Sequence, residues 1–459
     1  MSGIIEQPRF SCALAAQQTV LAIPRALPIS HSGPGCVGKT FAFSATGAGF
    51  QGEGYGGGST VSCTNSNEQD VVFGGEDKLA GFIDGAMKVL KGDLYVALSG
   101  CTSGIVGDDV EQVSRTFAAD GFPVVGAETS GFKGNSYVGH EIVLRAIIEQ
   151  FVGDIDPQVR HGLVNVFSVV PPQHPTWRGD LEEIKRLLTL LGFEVNILFG
   201  KGSAGISEWK DIPNAQFNLL LSSWVGLDTV RLLEEKYGTP YLHLPYMPIG
   251  AALTSKALRE ISAFAGLDSE KTEEIIAKEE AHFYDYFVSC ADFIADFRNS
   301  IPFELYIVAD SSYALGAAAY LSGELGFVPE GIYITDDADP LLHQDIKAAA
   351  DALIPASARE GSANESEEMI LFDSDGGMVQ RNIRKRLGQS KKALFLASTW
   401  EDFLAKETGN LSVHFSLPIN NDVLITRSFA GYNGGLRLME EILAGIFRKG
   451  DISGTTLTR

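Results

Sequence analysis

The sequence predicts an α/β protein of three doubly wound, Rossmann-like units with mostly parallel sheets. Three observations predict it. Short apolar runs without polar alternation mark strands covered on both faces. Each run is followed by a segment with apolar residues at helical spacing. The alternation then restarts near residues 161 and 301, dividing the chain into units 1–160, 161–300 and 301–459. A chain of 459 residues agrees with that division, since one domain usually holds about 100 to 200.

Leu94-Tyr95-Val96-Ala97-Leu98 is a strand of the first unit, ended by Ser99-Gly100. In the second, Val164–Val170 is a strand stopped by Pro171-Pro172. The helix Glu182–Gly192 follows, with Ile184, Leu187, Leu188 and Leu191 on one face and Gly192 as its C-terminal cap. Phe193–Phe199 and Asn218–Trp224 are the next strands. Asp268–Asn299, rich in Glu, Ala, Lys and Phe, reads as one long helix joining the second and third units. The third begins with the strand Leu305–Asp310, the Ala-rich helix Tyr313–Leu325 and the strand Gly331–Thr335; the polar stretch Ser357–Glu368 reads as an exposed loop.

Lys and Arg number 36 against 58 Asp and Glu, a net charge of −22. Nucleic acid and anionic lipid are thereby excluded as main partners, because phosphate binding needs clustered cations. No apolar stretch approaches the ~18 residues of a membrane span. Met1–Pro8 lacks a basic segment leading into an apolar run. A cytoplasmic protein working in protein complexes is expected.

Gly33-Pro34-Gly35-Cys36-Val37-Gly38-Lys39-Thr40 satisfies the phosphate-loop pattern G-x-x-x-x-G-K-[ST]. A phosphate cradle needs a buried strand before the loop and a helix N-terminus after it. The preceding segment contains Pro24 and Pro28, and Phe41–Gly58 is too rich in glycine for a stable helix. Nucleotide binding is therefore not expected here.

Five cysteines, at 12, 36, 63, 101 and 290, are an odd number that no complete disulfide framework uses. Cys36 and Cys63 bracket the glycine-rich stretch Gly47–Gly58, and Cys101 stands just past a strand end, where doubly wound folds gather their sites. Three thiols in glycine-flanked loops are one short of a four-thiolate centre. Either a ligand of another type completes the set, or a second subunit adds its own thiolates. Their spacing is too wide for the tight C-x₂-C pairs of zinc ribbons and ferredoxins. Cys290, in a segment with Phe287, Phe293 and Phe297, is expected in the core, and His414, in Val413-His414-Phe415, is expected to pack.

Three segments together resemble the cluster-ligand segments of nitrogenase component 1 subunits. They are Ser32-Gly33-Pro34-Gly35-Cys36, then Cys63 with Phe73-Gly74-Gly75 beyond it, then Ser99-Gly100-Cys101-Thr102-Ser103-Gly104-Ile105-Val106-Gly107-Asp108-Asp109. Gly131–His140, the strand with Pro171-Pro172, and Phe429-Ala430-Gly431-Tyr432-Asn433-Gly434-Gly435 extend the resemblance over essentially the whole chain.

The resemblance implies three Rossmann-like units and an α₂β₂ heterotetramer with an α-like catalytic subunit. Cys36, Cys63 and Cys101 would be this chain's share of a P-type 8Fe-7S iron–sulfur cluster at the α/β interface, a 4Fe-4S cluster being the alternative. Cys12 resembles a cysteine of β subunits that is not a ligand, which implies packing. The strand Asn218–Trp224 carries no counterpart of the α chain's cofactor-binding Cys, so the chain resembles a β subunit without catalytic residues of its own. An ATP-dependent 4Fe-4S iron protein homodimer would deliver low-potential electrons, relayed to a metallocofactor in the α partner. Pro34, Gly104 and Gly131 stand where true nitrogenase β chains tend to have Gln, Glu and a serine that ligates the oxidised cluster. These departures favour a nitrogenase-like reductase, methylthio-alkane (C–S bond) reduction first. The β subunit of a vanadium or iron-only nitrogenase and a cofactor-assembly scaffold are the alternatives.

Overall fold

The computed structural model describes residues 5–39, 61–297, 299–360, 368–387 and 392–448. Its first sheet comprises β1 (Ala26–His31), β2 (Ser62–Cys63), β3 (Leu94–Ser99) and β4 (Val124–Ala127), in the order β2-β1-β3-β4. The second comprises β5 (Arg160–Phe167), β6 (Glu194–Asn196), β7 (Ala215–Leu221) and β8 (Tyr241–Leu244), in the order β6-β5-β7-β8. The third comprises β9 (Glu304–Ala309), β10 (Val328–Ile334), β11 (Ile370–Phe372), β12 (Ala393–Ala397) and β13 (Leu411–His414), in the order β11-β10-β9-β12-β13. All pairings within the three sheets are parallel. The predicted α/β class and its mostly parallel sheets are thus what the chain forms.

The apolar runs lack alternation because helices cover both faces of each sheet. In β3, Leu94, Val96 and Leu98 join one core while Tyr95 and Ala97 join another. The same division holds in β12, with Leu394 and Leu396 on one side and Ala393, Phe395 and Ala397 on the other.

Four local expectations need correction. β1 is a fully buried strand despite Pro28. Its even-numbered backbone groups face β2, as the bond from the Thr64 N–H to the Ser30 carbonyl shows (3.0 Å), but β2 pairs only with Ile29 and Ser30. Pro28 therefore lies where no ladder bond is asked of its missing N–H. The long helix of the second unit is broken, running Ser269–Ser289 and Ala291–Phe297, with Cys290 in the turn between them and half-buried rather than in the core. Ala356–Glu360 is a short helix, favoured by its Ala, Arg and Glu content, where a loop was expected; residues 361–367 of that stretch lie outside the described residues. The strand expected over Phe193–Phe199 is only Glu194–Asn196, because β5 pairs with β6 at three positions.

Buried polar groups bind the three sheets together. Asp180, on the helix Trp177–Leu190, accepts bonds from the hydroxyls of Thr176 and Tyr313 (both 2.6 Å) and from the backbone N–H groups of Phe429 (2.7 Å) and Ala430 (3.0 Å). Burial pushes its pKa up, and these bonds pull it back. The Asn135 side-chain amide donates to the Asp336 carbonyl (3.2 Å), and Trp224 Nε1 donates to Asp336 Oδ2 (3.0 Å). The first described residues pack on the third sheet's elements: the Arg9 N–H donates to the Ser374 carbonyl (3.2 Å), and the buried Arg9 guanidinium forks onto buried Glu401. Among the described residues, no helix is long and apolar enough to cross a membrane.

Candidate cluster-binding site

The carboxyl ends of β1, β2 and β3 carry the segments with Cys36, Cys63 and Cys101. Residues 34–39 are helical, with Pro34 at the start where its lost N–H is harmless, and Cys36 is exposed on this turn. Cys63 ends β2, half-buried beside Ser30 of β1. Cys101 is the first residue of the helix Cys101–Val106 and is exposed. The Ser103 hydroxyl, 2.8 Å from the His31 carbonyl, and the Ser130 hydroxyl, 2.9 Å from the Gly100 carbonyl, hold that helix start against β1 and the loop after β4.

A buried network fixes these strand ends relative to one another. His31 Nε2 donates to Asp108 Oδ2 (2.9 Å), and its Nδ1 accepts from the Thr64 hydroxyl (2.9 Å), the tautomer set by a carboxylate that can only accept. Burial lowers the His31 pKa against the pull of Asp108. Asp108 Oδ1 accepts the Gly75 N–H (2.8 Å). A Cβ on Gly75 would stand 2.8 Å from His31 Cε1 and 2.9 Å from Asp108 Oδ2, so only glycine fits. The residues flanking Cys36, Cys63 and Cys101 thus share one hydrogen-bonded scaffold. Sequence reasoning assigned no role to His31 or Asp108. The Gly-Asp-Asp run and the Gly74-Gly75 pair were the available signals.

Cys36 and Cys101 share their neighbourhood with Cys12. Burial, and after it the thiols of Cys12 and Cys101, push the Cys36 pKa up. Cys12 was expected to pack, yet it is exposed and lines a small cleft with Cys36 and Lys39. Among the described residues, no three His, Cys, Asp or Glu side chains already close around a single metal-sized point. Cys36, Cys63 and Cys101 instead stand at or just beyond the carboxyl ends of three neighbouring parallel strands, and Phe73 and Ile105, on the short helices Glu68–Phe73 and Cys101–Val106, are 85% and 76% exposed. Soft thiols along this edge of the sheet fit one side of an iron–sulfur cluster whose remaining ligands come from elsewhere.

The phosphate-loop lookalike is preceded by the buried strand β1 that it was expected to lack, and residues 34–39 of the motif itself are helical. It fails as a cradle for another reason. Only Ser32 and Gly33 separate strand from helix, so Gly38-Lys39 lie at the far end of the helical turn rather than at its N-terminus, where amide groups converge on an anion. The glycine-rich stretch beyond it, residues 40–60, lies outside the described residues. Calorimetry with magnesium ATP is expected to show no saturable site at this loop, and Lys39→Ala to change nothing. Micromolar binding abolished by Lys39→Ala would contradict this.

The other candidates lie apart from this edge. Cys290 faces a cleft with His282, Tyr286, Asn433 and Arg437. His414 Nε2 donates to Asp402 (2.9 Å). Beyond β7, the Ser223 hydroxyl donates to the Pro245 carbonyl (2.8 Å).

Residues 11–447 match the family described as nitrogenase component 1 type oxidoreductase. The chain is 24% identical to the nitrogenase molybdenum-iron protein beta chain of Methanococcus maripaludis, over 95% of this chain and 93% of that one. It is 34% identical to the nitrogenase molybdenum-iron protein alpha chain of Methanosarcina barkeri, but over only 48% of this chain and 41% of that one. The solved structure of nitrogenase Cp1 at pH 6.5 superposes with a TM-score of 0.79 at 20% identity, covering 99% of this chain and 96% of that one, which establishes a shared fold. With the family pattern running along nearly its whole length, the chain belongs to the nitrogenase component 1 type oxidoreductases, as a β-chain-like subunit.

Proposed function

We propose that this chain is the β-like subunit of a nitrogenase-like reductase, holding with Cys36, Cys63 and Cys101 its half of a P-type iron–sulfur cluster shared with an α-like catalytic subunit in an α₂β₂ assembly. The observation that carries the reading is that Cys36 and Cys101 stand exposed, and Cys63 half-buried, at or just beyond the carboxyl ends of three neighbouring parallel strands. When bound, the cluster supplies one-electron storage at low potential. The chain's own contribution is to fix its thiols on strand ends tied by His31, Asp108, Thr64 and Gly75, and to present Phe73 and Ile105 as the apolar rim that excludes water once a partner covers them. Alignment with a β chain along nearly the full length of both supports the β-like role, as does the hydroxyl-bearing end of β7, a poor donor for soft metals.

An ATP-dependent iron protein homodimer is the proposed electron donor, and methylthio-alkane C–S cleavage, releasing a thiol and a hydrocarbon, is the proposed reaction in the partner. The test is co-purification with an α-like chain, followed by assay with the iron protein, magnesium ATP and a low-potential reductant. Thiol release from a methylthio-alkane supports the reading. Ammonia from dinitrogen would make it a nitrogenase, and isolation with maturation factors and no turnover would make it an assembly scaffold.

A further inference from the structure

Two buried carboxylates meet where the three sheets join. Asp310 follows β9 and Asp336 follows β10, parallel strands paired as far as Ala309 and Ile334, and the two residues are 8% and 1% exposed. Both face the N-terminus of one helix, Ser311–Gly323. Asp310 Oδ1 accepts the Tyr313 N–H (3.3 Å), while Asp336 Oδ2 accepts the N–H (2.9 Å) and the hydroxyl of Ser311 and the indole N–H of Trp224 (3.0 Å). Among the described residues no group donates to Asp336 Oδ1, although that oxygen is buried. His174 is the one basic side chain among them in ion-pair range, its Nε2 3.6 Å from Asp310 Oδ1. Its Nδ1 accepts the Val170 N–H (3.1 Å), so Nε2 carries the proton, and burial pushes its pKa down to about 4, leaving an N–H but no charge. The other titratable neighbours bring no positive charge: Tyr137 and Tyr313 are pushed up by burial, and Asp180 and Asp337 are acids. One helix end and one indole cannot compensate two negative charges at this depth.

We propose that Asp310 and Asp336 hold one proton between them, and that this proton is a pH-dependent latch at the junction of the three sheets. With it in place the junction carries a single negative charge, matched by the helix end and by Trp224, beyond β7 of the second sheet, while the Asn135 amide, beyond β4 of the first, holds the Asp336 carbonyl. When the proton leaves to solvent nothing is oxidised or reduced, but two like charges then face each other and push apart the segments that these bonds join. Burial, and after its backbone bonds the charge of Asp180, set the Asp310 pKa at about 7; burial and then Asp310 raise that of Asp336. An unfolded aspartate titrates near about 4, so the folded chain binds more protons between these values. The stability this pair contributes is therefore fully present below about pH 4 and is lost as pH rises through about 7.

The test uses the full-length protein in the assembly in which it purifies. Infrared spectroscopy, which separates a protonated carboxyl from a carboxylate, is expected to show a buried aspartic acid band at about pH 6 that is gone by about pH 8, with the melting temperature falling over the same range. Asp310→Asn and Asp336→Asn, which keep the shape and hold no proton, are each expected to remove that band and flatten the fall. The double variant is expected to remove no more than either single one, because one proton serves both. Glu141, which accepts from the Gly226 N–H and the Thr229 hydroxyl and is also pushed up to about 7 by burial, is the control: Glu141→Gln is expected to leave the aspartic acid band in place. Isotope-labelled aspartate in the unaltered chain reads the same band without any substitution. Additive losses in the double variant would overturn the sharing of one proton. No aspartic acid band in the labelled protein at about pH 6, or a fall in melting temperature that Asp310→Asn leaves unchanged, would overturn the latch.

Discussion

Replacing Cys63 by alanine is expected to strip interface iron from the α/β protein and abolish electron relay while leaving the partner's own cofactor in place. Cys63 terminates β2, half-buried beside Ser30, and the next residue, Thr64, is tied to His31. A thiolate there cannot be replaced by a neighbour, because the backbone on both sides is held by the sheet and by that bond. Alanine removes the sulfur without disturbing the scaffold, so the loss is chemical rather than structural. Metal analysis with electron paramagnetic resonance of the interface signal reads it, and an iron content and activity equal to wild type would contradict the assignment.

The second large effect concerns the strap that carries Cys12. Arg9 Nη1 reaches Glu401 Oε2 at 3.1 Å and the Ser398 hydroxyl at 3.0 Å, Arg9 Nη2 meets Glu401 Oε1, and the side chains of Arg9 and Glu401 are 2% and 0% exposed. Removing one partner leaves a buried charge without compensation, which costs about 3–5 kcal/mol, a large part of the roughly 5–15 kcal/mol that holds a protein folded. Arg9→Met is therefore expected to lower stability by about that much in chemical denaturation. Arg9→Met combined with Glu401→Gln is expected to recover most of the loss, since no charge is then stranded. A single-variant cost below about 1 kcal/mol would place the pair with weak surface bridges and contradict its role as an anchor.

Much of the architecture is legible in the sequence for one reason: strands covered on both faces are written as unbroken apolar runs, as in β3 and β9. The same feature places Cys101, because Ser99-Gly100 closes such a run. β1 was hidden by Pro28, since a proline reads as a breaker unless it is known that the neighbouring strand pairs only beyond that position. The break at Cys290 lies in a stretch whose composition is helical on both sides, leaving no local mark of the turn. His31 with Asp108, and Cys12 with Gly131, are illegible for a different reason. Their partners are distant in sequence: the order of parallel strands brings His31 to Asp108, and an isolated antiparallel bridge between Cys12 and Asn135 brings Cys12 to Gly131.

The central claim is that metal is held at the Cys36–Cys63–Cys101 edge of this chain and nowhere else in it. Anomalous scattering at the iron edge, from crystals of the α/β complex, tests it most directly. Within this chain's boundary the account predicts anomalous density only at that edge, shared with the partner subunit. A metallocluster bonded to Cys290 or His414 would make this chain the catalytic subunit and contradict the account.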